Sequence, residues 1–128
     1  MAHFLTPVLD GAPFALRIER SGVFLGTAIR LAGDSATRRE GLLGHDTLPP
    51  GRGLVIAPSQ GVHTFGMRFP IDVVCVSRSG VVVKCRSAVV PRRLVLSWSA
   101  FAMVELARGE TIRAGLVVGD TLIASSGD

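Results

Sequence analysis

The feature that most constrains this chain is the run Ile71-Asp72-Val73-Val74-Cys75-Val76, the turn Ser77-Arg78-Ser79-Gly80, and a second run, Val81-Val82-Val83-Lys84-Cys85. Val73 to Val76 is apolar without interruption and rich in β-branched side chains. A short run of this kind, ended by a turn, reads as a strand buried on both faces. The second run is of the same kind. Gly80 can take a positive φ with no Cβ clash, as a type I turn with a glycine bulge requires. Residues 71–87 are therefore expected to form a β-hairpin. If Arg78-Ser79-Gly80 is its loop, Ser77 faces Val81 and Cys75 faces Val83.

Asp72 carries a charge into that buried strand, and a buried carboxylate without partners is costly. Arg68, Arg39 or backbone N–H groups are the expected partners. A structural carboxylate pinning the strand entrance is preferred to a catalytic one. Just upstream, His63, Phe65 and Met67 alternate with Thr64, Gly66 and Arg68, so an extended chain puts the first three on one face. A His and a Met on one face, with Cys75 near in sequence, suggests a soft metal such as copper(I). No second His or Cys stands at ligand spacing, so a core-facing Met beside a hydrogen-bonded His is the preferred reading.

The 128 residues suggest one domain. Hydrophobic content of 48% excludes disorder as the general state of the chain. Abundant Gly and Val favour short strands with tight turns over a helical bundle. The net charge is +4, nearly all from arginine, with Lys84 the single lysine. The arginines are scattered from Arg17 to Arg113, and one Trp without any Tyr makes a poor base-stacking platform. Nucleic acid is therefore not an expected partner. Cys75 and Cys85 are expected to be free thiols. With the three-residue loop they are diagonal neighbours about 7–8 Å apart, beyond the roughly 3.5–4.5 Å of a disulfide; with a two-residue loop they point to opposite faces. Free thiols fit a reducing compartment. Residues 1–16 lack a basic leader, and Leu94–Val104 is far short of a span. A soluble, cytoplasmic protein with no membrane insertion is expected.

Taken in order, residues 1–14 read as a loose arm before one β-rich domain over 15–125. Phe14–Glu19 and Val23–Leu31 flank Arg20-Ser21-Gly22 as a first hairpin, with Leu25, Thr27, Ile29 and Leu31 the better core face. Asp34 or Ser35 caps a short helix through Arg38, Arg39, Leu42 and Leu43. Gly53–Ala57 is a strand. Val89-Val90-Pro91-Arg92-Arg93 is a strand end or an exposed edge, which the arginines and proline would blunt against pairing. Leu94–Leu106 is strand-like, Arg108–Gly115 is a helical turn or two ended by Gly115, and Thr121–Ala124 is the last strand before a tail. The expected fold is mainly β: a barrel-like antiparallel domain with two short helices.

No phosphate-binding loop, dinucleotide fingerprint, Cys-x-x-Cys pair or His-x-x-x-His pair is present. Ser59, His63 and Asp72 could be drawn as a triad, but no nucleophile elbow surrounds them. The chain resembles the bacterial and archaeal domain of unknown function 192 family from about Ala28 to Ile123. The carriers are Arg39-Glu40-Gly41-Leu42-Leu43, Gly53-Leu54, His63-Thr64-Phe65-Gly66-Met67, Pro70-Ile71-Asp72-Val73-Val74, Ser79-Gly80-Val81-Val82, Val104-Glu105-Leu106, Gly109, Gly115 and Gly119-Asp120. The resemblance implies a β-rich, barrel-like domain with short helices and implies no activity. The commoner family form carries a Trp-Met-Lys-Asn-Thr run where this chain has His63 to Met67, so no role of that cluster carries over.

The expected function is a non-enzymatic binding or interaction module, with a secretion or pilus apparatus as one setting. Its candidate ligand-binding residues are Arg39, His63, Thr64, Met67, Arg68, Asp72 and Glu105, around one shallow cleft. No catalytic residue, metal or cofactor is assigned. The alternative is a small enzyme or metal- or ligand-handling protein using His63, Asp72 and Arg39. A third reading is self-association through the edge near Val89–Leu96; a monomer or weak homodimer is expected.

Overall fold

The computed structural model describes residues 2–8, 11–32 and 48–126. Among them the strands are β1 (Phe14–Ile18), β2 (Phe24–Ala32), β3 (Gly51–Ile56), β4 (Gly61–His63), β5 (Ile71–Val76), β6 (Val82–Val89), β7 (Leu94–Leu96), β8 (Ala102–Ala107) and β9 (Leu122–Ser126). A single described helix, α1, spans Glu110–Ala114. The helix expected around Arg38 and Arg39 lies outside the described residues.

Seven strands form one sheet in the order β6-β5-β8-β3-β2-β1-β9, and β4 and β7 form a separate two-stranded ribbon. All pairs are antiparallel except β2 with β3. The sheet curls until its two edges meet at one corner. There Val81 bridges Thr121, Val82 N donates to Asp120 O at 2.8 Å, and Leu122 N donates to Gly80 O at 2.7 Å. The result is the mainly β, half-barrel architecture expected from the sequence.

The curl encloses one core, to which all seven strands contribute, among them Phe14, Leu16, Leu25, Val55, Val74, Val82, Leu106 and Leu122. A second core lies on the opposite face of β3, β5 and β8, where Leu54, Ile71, Val73, Cys75 and Met103 meet Val62 of β4 and Val95 of β7. The ribbon thus covers the outside of the half-barrel at its middle strands. This explains why every residue of β5 and of β8 is buried. Each fully buried Val or Ile there contributes about 1.5–3 kcal/mol relative to exposure.

The hairpin over residues 71–87 forms, with Gly80 at φ 94°. Its register and its second strand differ from the three-residue-loop expectation, and the cysteines take the other of the two placements. The register shifts between Cys75 and Val76, so Cys75 faces Lys84 and Val74 faces Cys85. The two free cysteines therefore pack on opposite faces, Cys75 in the outer core and Cys85 against the enclosed one. And β6 is an edge strand, so only Val82 within it is fully buried.

Elsewhere, Leu94–Leu106 is two strands, because Ser97–Phe101 turns the chain from the ribbon back into the sheet. In β2, Leu25 and Ile29 are buried but Thr27 is exposed, since the ladder slips between Gly26 and Ala28. Ser125 and Ser126 pair with Ala15 and Phe14 and are not a tail. Of the N-terminal segment read as a loose arm, Leu5 lies in the enclosed core and Phe4 N donates to Arg78 O at 3.0 Å.

Candidate functional site

Asp72 sits on the enclosed side of β5, since it alternates with Ile71 and Val73 of the outer core and lies opposite Leu106. It is fully buried. Its Oδ1 accepts from Ala88 N at 2.8 Å and Gly109 N at 3.1 Å. Its Oδ2 accepts from Thr111 N at 2.9 Å and Thr111 Oγ1 at 2.7 Å. Ala88 has a φ of 52° and Gly109 a φ of 89°, and both turn their N–H groups toward the carboxylate. Gly109 is the N-cap of α1 and has no side chain to satisfy the first turn; Asp72 supplies that acceptor from another strand. Of the expected partners, the backbone N–H groups are found among the described residues; Arg39 lies outside them.

Glu105, also buried, lies on the other face: it is opposite Leu54 and Val73 and in step with Met103. Asp72 and Glu105 thus belong to different sides of the sheet and do not share a cleft. His63 ends β4, and its ring lies 5.6 Å from that of Phe65. The extended His63–Met67 segment expected from the alternation is instead a turn. Gly66 has φ 85°, and Met67 N donates to Thr64 O at 3.2 Å. Met67 packs on the outer core and Arg68 is exposed.

Thr64 is the residue that ties this turn to the next loop. Its hydroxyl donates to Val90 O at 2.8 Å and accepts from Arg93 N at 2.8 Å. Its N–H donates to Arg93 O at 2.9 Å, and its carbonyl accepts from Arg92 N at 3.2 Å. The structure therefore brings His63 and Thr64 beside Arg92–Leu94, puts Met67 and Glu105 on the outer-core side, and leaves Asp72 on the enclosed side. Arg39 lies outside the described residues.

Beside this clip runs a groove of about 300 Å³ between β6 and β7, lined by Lys84, Arg86, Val89, Arg93, Leu94 and Leu96 together with Val95. Among the described residues, no acidic side chain lines it. Lys84 crosses it to donate to the carbonyl of Leu96. On the outer side of β7 the apolar residues continue: Leu94 is 62% exposed, Leu96 43% and Trp98 81%. Their period of two is visible in the sequence, and an exposed edge was expected near Val89–Leu96. What the sequence did not show is that the lone lysine and two arginines converge on it.

A wider depression of about 510 Å³ lies at the far end of the ribbon, between Pro58-Ser59-Gln60 and Ser99-Ala100-Phe101. Arg78, at its rim, stacks over the Phe101 ring at 4.5 Å. Among the described residues, no group of three or more His, Cys, Asp or Glu side chains could hold a metal. Burial pushes both thiols up, opposed at Cys75 by Lys84 and at Cys85 by the hydrogen bond to Thr111. Neither is poised as a nucleophile.

The geometry defines a β half-barrel domain with a cationic, partly apolar groove between an edge strand and an outer ribbon. The chain belongs to the DUF192 family, described as "Uncharacterized ACR", whose model matches residues 16–124. It is similar to a solved structure from Sinorhizobium meliloti 1021, described as a candidate transcription regulator. The two share 21% identity and a TM-score of 0.77, over 91% of this chain and 96% of that one. It is also similar to a protein of unknown function from Novosphingobium aromaticivorans DSM 12444, at 20% identity and a TM-score of 0.73, over 95% and 92% of the two chains. At these identities the likeness shows the fold alone. No curated protein matches the chain. No helix among the described residues is long and apolar enough to cross a membrane.

Proposed function

We propose that this protein is a non-enzymatic binding module whose working surface is the β4–β7 ribbon and the groove beside β6. The observation that carries this reading is the exposure of Leu94 and Leu96 on β7 and of Trp98 in the turn that follows it, next to a groove with three cationic side chains. Scattered exposed apolar residues are normal, but large apolar side chains exposed within five residues of one another and beside a charged groove are what an interaction site presents. The residues first suspected of chemistry support the surface in another way. Thr64 fixes the loop that carries Arg93, and Asp72 is consumed in holding α1 to the sheet. The two free thiols fit a reducing compartment. A secretion or pilus apparatus is a setting in which modules that bind strands operate.

The test is site-specific photo-crosslinking in the cells that make the protein. A photoreactive residue at Leu94 or Trp98 is expected to give a discrete adduct, whereas one at Ile112, 73% exposed on α1, is not. Equal labelling at all three positions would remove the assignment.

A second reading has its own observation: the depression under Arg78 is large enough for a small ligand, and the guanidinium held on Phe101 is a ready partner for a carboxylate. Native mass spectrometry separates the two. A small-molecule adduct lost in Arg78→Ala favours this second reading; the crosslink pattern above favours the first.

A further inference from the structure

We infer that the occupant of the groove is an extended acidic segment of another polypeptide, which adds as a strand along β6. This deepens the binding-module reading and rests on it. Two observations carry the step. The first is that β6 is an edge among the described strands. Within the described residues the backbone from Val83 to Val89 bonds to β5, to the Asp72 carboxylate and, at the Cys85 carbonyl, to the Arg86 guanidinium; pairing with β9 is confined to Val81 and Val82 at the corner. An unpaired edge offers main-chain donors and acceptors to any extended chain laid against it. The second is the charge of its walls. Lys84 and Arg86 stand on β6, Arg93 stands before β7, and among the described residues no carboxylate lines the groove.

Charge decides which strand can enter. A second copy pairing through the same edge would set Lys84 and Arg86 against Arg86 and Lys84, and like charges placed opposite one another destabilise a strand pair. Self-pairing of two copies along β6 is thus disfavoured. An acidic strand meets the opposite condition. Alternation supplies the rest: acidic side chains at every second position reach the cations, while the residues between them face Val89, Val95 and Leu96. The groove is concave and bounded by two strands, which suits an extended chain better than a flat lipid surface.

The test uses the full chain and a fluorescein-labelled seven-residue peptide of alternating glutamate and valine, read by fluorescence polarisation. The wild type is expected to bind it, and Lys84→Glu with Arg86→Glu to weaken binding at least tenfold. Arg93→Glu, on the other wall, is expected to weaken it as well. Both variants change side chains at the surface, and circular dichroism checks that they fold. A peptide of the same sequence with alternate amides N-methylated is expected to lose binding, because a strand pair needs those hydrogens. Equal binding of the methylated peptide would overturn strand addition. No binding of the parent peptide, or binding confined to phosphatidylglycerol vesicles or to a DNA duplex, would overturn the acidic-strand inference. If crosslinking at Leu94 succeeds while the peptide fails, the module reading stands and this inference alone falls.

Discussion

Asp72 and Thr111, on β5 and α1, are joined by two hydrogen bonds to one carboxylate oxygen, 2.9 Å from the backbone N and 2.7 Å from the hydroxyl. With Ala88 N and Gly109 N on the other oxygen, the carboxylate holds three segments at once. Removing it leaves three N–H donors unmet, each costing about 1–3 kcal/mol when buried. Asp72→Ala is therefore expected to destabilise the fold by about 3 kcal/mol or more, and Thr111→Val by about 1 kcal/mol. Urea unfolding measures both. A change below about 1 kcal/mol in Asp72→Ala would show the carboxylate to be spare, and would reopen a chemical role for it.

The clip at Thr64 leads to a functional prediction. Thr64→Val keeps the shape but removes the hydroxyl that bonds Val90 O and Arg93 N. The cost is about 1–2 kcal/mol, and the loop that carries Arg93 is released. Hydrogen exchange at Arg93 N is expected to speed up in this variant while exchange in β5 is unchanged. Peptide binding in the groove should weaken even though no groove side chain has been altered.

How far the sequence revealed this arrangement depends on the range of the forces involved. The β5–β6 hairpin was legible because its signal is local: two β-branched runs around Gly80. Its register was not, because a bulge at Val76 moves Cys75 from Val83 to Lys84. The alternation of His63, Phe65 and Met67 misled, since a period of two says nothing once Gly66 turns the chain. Asp72 was recognised as a buried acid needing partners, but Gly109 and Thr111 lie 37 and 39 residues away. The groove was half legible: the apolar edge could be read, whereas the convergence of Lys84 and Arg93 depends on how the ribbon folds over the sheet.

Arg20 and Asp120, 100 residues apart, form a two-point ion pair at 2.7 and 3.0 Å beside the corner where the sheet edges meet. Arg20 and the Val117 N–H hold the Asp120 carboxyl below the usual carboxylate range. A lowered carboxyl pKa adds stability that is fully present above the unfolded-state value of about 3.9 and is lost as pH falls through the folded-state value. Stability is therefore expected to decline below about pH 4. Asp120→Asn should flatten that decline and lower stability only modestly at neutral pH, because Arg20 is solvent-exposed. Thermal melts of both proteins from pH 3 to 7 check the sign; parallel curves would dismiss Asp120 as the titrating group.

The two thiols give a prediction about reactivity. Cys75 is buried under the ribbon and Cys85 is half-buried against the enclosed core, and burial raises both. Titration of the native protein with a disulfide reagent at pH 7.5 is expected to be slow, and to become fast and to modify both cysteines in denaturant. Cys85, on the edge strand, should react before Cys75. Reaction of Cys75 first would mean that the ribbon opens away from the sheet more readily than β6 does.

Gly53 tests the packing where the parallel and antiparallel ladders meet. It pairs with Ile29 on β2 and Leu106 on β8, and an added Cβ would lie 2.5 Å from Glu105 O. A backbone atom between two strands cannot withdraw as a side chain can, so Gly53→Ala forces the strands apart at a cost of about 2–3 kcal/mol. Gly22, in the first hairpin turn, is the contrasting case. Its φ is 74° but nothing lies within 4 Å of an added Cβ, so Gly22→Ala carries only the left-handed penalty of about 1–2 kcal/mol. Urea midpoints should rank Gly53→Ala below Gly22→Ala, and both below the wild type. The reverse order would mean that β3 does not lie closely between β2 and β8, and with it the seat of Glu105 would have to be redrawn.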